Sequence, residues 1–359
     1  VVGARPQFIK AATVSRALRA RSGLREVLVH TGQHYDDNMT KVFFSEMEIQ
    51  PPDHNLGVGS ASHGAQTGQM LAAIEVILLA EPPDCVLIYG DTNSTLAGAL
   101  AACKLHIPVA HVEAGLRSFN RRMPEEMNRI LADHAADLLF APTETAVANL
   151  AREGIAGAKV INVGDVMYDA ALFYGERAER DSRVLDRVGV AGVPYVLATV
   201  HRAENTDDPR RLRTILAALA GVAAQLPVVL PLHPRTRATL AREGLTDLVG
   251  QLRVIDPVGY LDMVMLERHA SLVVTDSGGV QKEAFFHGVP CVTLRDETEW
   301  VELVELGWNT LAPPLPGADL APTILAALGS RGRAAEPYGQ GRSAAAIVEH
   351  LIGTWGEAA

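Results

Sequence analysis

Three acidic side chains in one stretch of the chain stand where an α/β enzyme keeps its chemistry. The stretch reads PDCVLIYGDTNSTLAGALAACKLHIPVAHVEAGLRSFNRRMPEE. Residues 85–89 make an apolar run of strand length, and Asp91 follows two residues later. A helix-like stretch over 94–105 leads to a second strand at 108–112, with Glu113 directly behind it. Glu125 and Glu126 come one short loop further on, behind Pro124. In an open parallel sheet, ligands bind beyond the carboxyl ends of the strands. Carboxylates at two neighbouring strand ends, with a third in the next loop, point to acid/base work in a cleft. The structural alternative has Asp91 capping the following helix and Glu113 making an ion pair.

Other strand ends carry polar signatures of their own. The first gives Gly3-Ala4-Arg5-Pro6, with Lys10 one to two helical turns on. Glycine permits a tight strand-to-helix turn and proline suits the helix opening, so Arg5 faces the cleft beside a helix N-terminus, a place for a phosphate. A dense polar loop, His30-Thr31-Gly32-Gln33-His34-Tyr35-Asp36, reads equally as a ligand contact or as capping residues. His201 and Arg202 follow the run 195–200, where a histidine protonates or hydrogen-bonds a departing phosphate, or else is satisfied within the core. The sharpest phosphate signal is Asp276-Ser277-Gly278-Gly279 between an apolar run and a helix. Its glycines let backbone N–H groups form an anion nest at the helix N-terminus. Glu283, one turn into that helix, is placed to accept from sugar hydroxyls or to complement the helix dipole. No Gly-x-Gly-x-x-Gly follows any strand, which argues against a dinucleotide cofactor.

The elements that position these groups alternate. Apolar strand-like runs fall at 27–29, 85–89, 108–112, 138–140, 160–163, 195–200, 228–232, 252–255, 272–275 and 291–294, separated by helical periodicity. This predicts an α/β protein with parallel sheets covered on both faces. Ten strands suit two sheets, so two Rossmann-like domains are expected. The first spans 1–167, carries the carboxylates and is joined by a C-terminal helix over 343–359; the second spans 168–342. The link is placed near 165–169. Net charge of −10 disfavours general nucleic-acid binding. Cys85, Cys103 and Cys291 lie in apolar surroundings without paired spacing and read as buried, reduced thiols. No stretch is long and apolar enough to cross a bilayer, and no basic leader precedes Val1-Val2-Gly3, which reads as the end of a first strand. A cytoplasmic protein with no membrane contact is expected.

At this point the motifs GARPQFIK, TGQHYD, GDTNSTLAGAL, HVEAGLRS, PEEMNR, HRAEN, DPVGYL and DSGGVQKEA, which run in one order over nearly the whole chain, resemble those of the non-hydrolysing UDP-N-acetylglucosamine 2-epimerases. The resemblance implies a glycosyltransferase-B-like architecture, two Rossmann-like domains facing a cleft, usually in a homodimer. It implies interconversion of UDP-GlcNAc and UDP-ManNAc through 2-acetamidoglucal, with no redox cofactor and no metal. It further implies that Asp91, Glu113 and Glu125 are the acid/base carboxylates and that His201 steadies the departing diphosphate. Arg5, Lys10, Arg202, Tyr260, Ser277, Gly278, Gly279 and Glu283 are implied as UDP contacts. Gln33 and His34 fall where bacterial members bind a second UDP-GlcNAc as activator.

Two departures concern the substrate. The loop between Glu113 and Pro124 is shorter than in the common bacterial branch. The run RDETEWVE puts Trp300 where the family pattern has arginine. That run, with RPQFIK and HRAENT, looks like a branch that epimerises UDP-2,3-diacetamido-2,3-dideoxyglucuronate for surface polysaccharide. That sugar carries a carboxylate, and Arg117, Arg121 and Arg122 are the candidate cations for it. A retaining glycosyltransferase or a catalytically silent nucleotide-sugar-binding protein are alternatives of other classes. Neither needs three carboxylates for proton transfer at a sugar ring.

Overall fold

A computed structural model of the chain describes residues 1–33 and 50–356. The chain divides into two compact units, Val1–Leu172 with Glu336–Ala359, and Phe173–Ala335. The expected link at 165–169 turns out to begin a helix. Asp165 Oδ1 accepts from the Met167 N–H at 2.8 Å and opens the helix Val166–Asp181. The chain passes into the second unit within that helix, between Leu172 and Phe173. The first unit resumes at Glu336, earlier than expected. The Tyr338 carbonyl accepts from Asp165 N–H at 3.0 Å, and Gly164, at φ +80°, lies against that carbonyl where a Cβ would meet it at 2.6 Å.

In the first unit the strands are β1 (Val29–His30), β2 (His54–Asn55), β3 (Val86–Tyr89), β4 (Val109–Val112), β5 (Leu138–Ala141) and β6 (Val160–Asn162). β3 to β6 form a four-stranded parallel sheet in sequence order, and β1 pairs with β2 in parallel. Val2 bridges the two groups. It exchanges backbone hydrogen bonds with Val29 and Thr31, while the Val1 amino group donates to the Leu87 carbonyl at 2.9 Å. β3 to β5 read VLIY, VAHV and LLFA, near-continuous apolar runs of the kind demanded by burial on both faces. The helix Ser343–Trp355 packs on the helix Arg5–Arg19 of this unit. Asp169 accepts from the N–H groups of Ser343 and Ala344, at 3.1 and 2.8 Å, capping that last helix. Burial outweighs those bonds and holds the Asp169 carboxyl above its ordinary value.

The second unit contains β7 (Val196–Thr199), β8 (Val228–Pro231), β9 (Arg253–Ile255), β10 (Leu272–Thr275), β11 (Cys291–Thr293) and β12 (Asn309–Leu311). All pair in parallel in the order β12-β11-β10-β7-β8-β9, the doubly wound Rossmann arrangement. Its core joins Val196, Ala198, Val274 and Val292 of the sheet to Leu212, Ile215, Leu216 and Leu219 of the helix Pro209–Ala223. Two strands have no apolar run to announce them. β2 is His-Asn, and β12 begins on Asn309, whose side chain accepts from Thr293 Oγ1 at 2.8 Å. The cysteine reading is corrected as well. Cys103 is exposed because the helix Asn93–Lys104 turns its alanines inward and its last turn outward, and Cys85, just ahead of β3, is half-buried. Among the described residues no helix is long and apolar enough to cross a membrane.

Candidate active site

The order of strands decides where the polar motifs meet. The strand order reverses between β7 and β10 in the second unit and across the Val1-Val2 bridge to β3 in the first, and such switch points open a crevice at the carboxyl ends. In the first unit the crevice lies between Val1-Val2 and β3, followed by Gly3-Ala4 and by Gly90-Asp91 respectively. Gly3 is there for lack of space, since a Cβ would sit 2.1 Å from both Thr31 Oγ1 and Ser94 Oγ. Gln7 closes the turn. Its Oε1 accepts from the N–H groups of Gly3 and Ala4 at 2.7 and 3.0 Å, and its Nε2 donates to the Tyr89 carbonyl at 2.8 Å.

Asp91 is gripped from the helix Pro124–Ala135. Arg129 donates to its Oδ2 through Nε at 3.0 Å and Nη2 at 2.7 Å, and Asn128 donates to its backbone carbonyl at 2.9 Å. The carboxylate keeps 32% of its side chain exposed, so it stays open to a ligand. Glu113 has a left-handed backbone, φ +71°, which is strained for a residue with a side chain. Its carboxylate forms a buried ion pair with Lys10. Glu125 is half-buried and forms no hydrogen bond or ion pair among the described residues. Its neighbour Glu126 is structural instead. It accepts from the N–H groups of Ser118 and Phe119, both at 2.9 Å, and from Arg129 Nη1 at 2.8 Å, which fixes the loop behind Glu113. Burial raises the Glu126 carboxyl, but these donors outweigh it and the group lies below its ordinary value. Gln33 turns its Oε1 to Ser94, accepting from Oγ at 2.7 Å and N–H at 3.1 Å.

In the second unit the switch point lies between β7 and β10. His201 follows one and Asp276-Ser277-Gly278-Gly279 the other. Asp276, fully buried, accepts from the N–H groups of His201 and Arg202, both at 3.0 Å, and from Asn205 at 3.1 Å. Its Oδ1 lies 3.2 Å from His201 Nδ1. Burial opposes the Asp276 charge, yet the His201 contact and the other donors hold the carboxyl below its usual range. The His201 ring is thereby oriented through Nδ1, with its side chain 38% exposed. Ser277 caps the helix Gly278–Phe286, and Gly278 admits no larger residue, since a Cβ would stand 2.5 Å from Glu299 Oε1. The Arg202 Nη2 is 3.9 Å from the same oxygen. Tyr260 is buried edge-on to Tyr174. Burial first, then the carboxylates of Glu283 and Glu267, hold its hydroxyl well above its ordinary value. Trp300 is buried with its ring 4.0 Å from Lys282 Nζ.

Of the residues singled out in the sequence, the first unit therefore gathers Asp91, Glu113, Glu125, Lys10 and Gln33. The second gathers His201, Arg202, Tyr260, Ser277, Gly278, Gly279 and Glu283. The Arg5 side chain and His34 lie outside the described residues. The UDP-N-acetylglucosamine 2-epimerase family model matches residues 16–352. The chain belongs to the UDP-N-acetylglucosamine 2-epimerase family.

Within that family it is 52% identical over 358 residues to a UDP-2,3-diacetamido-2,3-dideoxy-D-glucuronate 2-epimerase of Pseudomonas aeruginosa, with 98% of each chain covered. It is also 52% identical over 359 residues to a UDP-N-acetylglucosamine 2-epimerase homolog of Methanococcus maripaludis, again with 98% of each covered. Its fold matches the crystal structure of Methanocaldococcus jannaschii UDP-GlcNAc 2-epimerase in complex with UDP-GlcNAc and UDP, at a TM-score of 0.91, 44% identity and 98% coverage of both chains. The fold is thus α/β of the glycosyltransferase-B-like kind. Two supports of the site were not singled out in the sequence, Gln7 and Arg129, and Asp276, read there as part of a phosphate nest, instead holds His201. The signal for Arg129 was available, since Glu126, Arg129 and Asp133 recur at helical spacing on one face of a helix that opens at Pro124.

Proposed function

We propose that the chain interconverts UDP-GlcNAc and UDP-ManNAc by non-hydrolysing epimerisation at C2. The observation that carries this reading is the trio Asp91, Glu113 and Glu125, borne on two neighbouring strand ends and one helix in a member of this family. The C2 proton of the sugar has no carbonyl beside it to make it acidic. Departure of UDP from C1 builds oxocarbenium character next to it, and a carboxylate can then take the proton. The C2–H electron pair becomes the C1=C2 bond and the C1–O pair leaves with UDP, giving 2-acetamidoglucal. Re-addition with a proton delivered to the opposite face gives the epimer. Two faces require two proton-handling groups. Protonating Asp91 or Glu113 breaks an ion pair, to Arg129 or Lys10, whereas protonating Glu125 breaks none among the described residues. Glu125 is therefore assigned as proton donor and the paired carboxylates as acceptors. His201, held by Asp276, meets the charge developing on the diphosphate. Ser277, Gly278 and Gly279 offer donors to it at a helix N-terminus, with Glu283 accepting from the ribose.

The test is incubation with UDP-GlcNAc alone in heavy water. Deuterium should enter C2 of the product, and Asp91→Asn, Glu113→Gln and Glu125→Gln should each slow turnover by at least about 10²-fold. A glycosyltransferase needs an acceptor and a silent binder makes no product, so either would show no exchange.

A second substrate reading is UDP-2,3-diacetamido-2,3-dideoxyglucuronate, favoured by the Pseudomonas relative. Identity does not choose between the two, because an archaeal relative with the other name stands equally near. Arg117 drops out as the cation for the extra carboxylate. It is buried and committed to Glu153 and Asp133, with contacts of 2.7 and 2.8 Å. Arg121 and Arg122 are exposed on the same loop and remain the candidates. Competition between the two sugars, repeated with Arg121→Ala and Arg122→Ala, decides it. A homodimer fits the outer face of the helix His63–Ala80, where Val76 and Leu79 are 66% and 64% exposed beside Ala65, Gly68 and Ala72. Light scattering of the parent and of Val76→Glu tests that assembly. UDP-GlcNAc as an activator would use the Nε2 of Gln33, which donates to nothing among the described residues, and loss of any lag-relief in Gln33→Ala is its measure.

A further inference from the structure

β4 carries a histidine where its neighbours carry valine and alanine, and the ring is completely buried. His111 Nε2 lies 2.8 Å from the Gly90 carbonyl, which can only accept, so that nitrogen bears a proton. Nδ1 lies 2.7 Å from Asp133 Oδ1. Asp133 is also fully buried, and its Oδ2 accepts from the Gly115 N–H at 3.1 Å and from Arg117 Nη1 at 2.8 Å. Burial opposes its charge, but His111 and Arg117 outweigh it and hold the carboxyl below its usual value. An ionised carboxylate only accepts, so Nδ1 donates too. Arg117 is closed off on its far side by Glu153, at 2.7 Å.

These contacts join the two strand ends that matter. Gly90 is the residue before Asp91, and His111 and Gly115 flank Glu113 on either side by two residues. Asp133 lies on the same helix as Arg129, one turn beyond it, and Arg129 holds the Asp91 carboxylate. The backbone of Asp91, the strained backbone of Glu113 and the helix under both are thus tied into one ring of hydrogen bonds. We propose that His111 and Asp133 are positioning residues, a double-donor imidazolium and its buried acceptor that fix the separation of Asp91 and Glu113 for proton transfer. This rests on the epimerase reading of those carboxylates. It also explains the run His-Val-Glu-Ala-Gly-Leu-Arg, in which His111, Gly115 and Arg117 all serve this ring around Glu113.

The test uses the full chain with His111→Phe, which fills the space and removes both donors, and His111→Asn, which keeps one donor toward Asp133. His111→Phe should lower kcat by about 30-fold or more, from misplacement of the proton-transfer groups. KM should stay within about threefold, and UDP affinity within about twofold, because the nucleotide residues belong to the other unit. The isotope effect of C2-deuterated substrate should grow as proton transfer becomes slower. His111→Asn should recover about a third or more of the lost rate on a logarithmic scale. Leu139→Ala, a buried change in β5 with no polar contact, supplies the control: at a similar loss of thermal midpoint its kcat should stay within about threefold. Nitrogen NMR of the parent should show two ring N–H protons on His111. A single ring proton, or a kcat loss in His111→Phe no larger than that of Leu139→Ala, overturns the proposal. Should His111→Phe not fold, His111→Asn carries the same comparison. A parent that exchanges no C2 proton with either nucleotide sugar sinks the epimerase reading itself, whereas exchange with indifference to His111 sinks only the positioning.

Discussion

Replacing Gly90 by alanine separates the cost of backbone strain from the cost of moving the chemistry. Gly90 has φ +62°, and a Cβ there would stand 3.2 Å from both Glu113 Oε2 and Lys10 Nζ. Its N–H donates to the Val112 carbonyl at 3.0 Å, so the backbone is not free to swing aside. The left-handed conformation costs a side-chain-bearing residue about 1–2 kcal/mol. In a domain of this size that lowers the melting midpoint by about 2–8 °C. Gly154 offers a matched control, with φ +79° and nothing within 4 Å of its Cβ position. Both variants should lose similar stability. Only Gly90→Ala must also push the Lys10–Glu113 pair aside by a few tenths of an ångström. If a misplacement of about 1 Å costs about 10²-fold, a shift of 0.3–0.5 Å costs about 4- to 10-fold in kcat. The assay is the initial rate of C2 deuterium incorporation, with UDP affinity measured alongside and expected to hold. Equal rates in Gly90→Ala and Gly154→Ala at equal thermal loss would refute the placement of Glu113 and Lys10 in the reacting centre.

Arg129→Met should cost about 3 kcal/mol, the lower end for breaking a buried pair, because Glu126 keeps its donors from Ser118 and Phe119. It should also slow turnover by at least about 10²-fold, with Arg129→Lys recovering part, as read by denaturant melts and kinetics. Glu126, held below the ordinary carboxylate range, contributes stability that is present above that range and lost as pH falls through its lower folded value. Glu126→Gln should therefore lie below the parent in stability near neutrality and converge with it in acid, which melting curves from pH 7 to pH 3 would record. Glu283→Ala and Ser277→Ala should each weaken UDP binding by about 1–3 kcal/mol in calorimetry.

The apolar runs located every strand that is buried on both faces, because such strands leave continuous Val, Ile and Leu in the sequence. They could not locate β2 or β12, whose residues are His-Asn and Asn-Thr-Leu. Strand ends followed from the runs, and with them Asp91, Glu113 and His201. The partners of those groups did not follow. Arg129 holds Asp91 across 38 residues and Asp276 holds His201 across 75. Such pairings depend on which strands become neighbours, and that order is not written in hydrophobic periodicity. β7 lies beside β10 only because the sheet reverses direction at its first strand. The same reversal sets Val1-Val2 beside β3 and brings Gln7 to Tyr89. Polar residues that looked like ligand contacts were accordingly divided by the fold. Glu126 and Arg117 became supports for the loop around Glu113, while Glu125 is left half-buried with no donor among the described residues. A carboxylate serves chemistry when no donor in the fold claims it fully, and a carboxylate with three donors serves the fold; between Glu125 and its neighbour Glu126 that difference rests on which side of one helix turn each occupies.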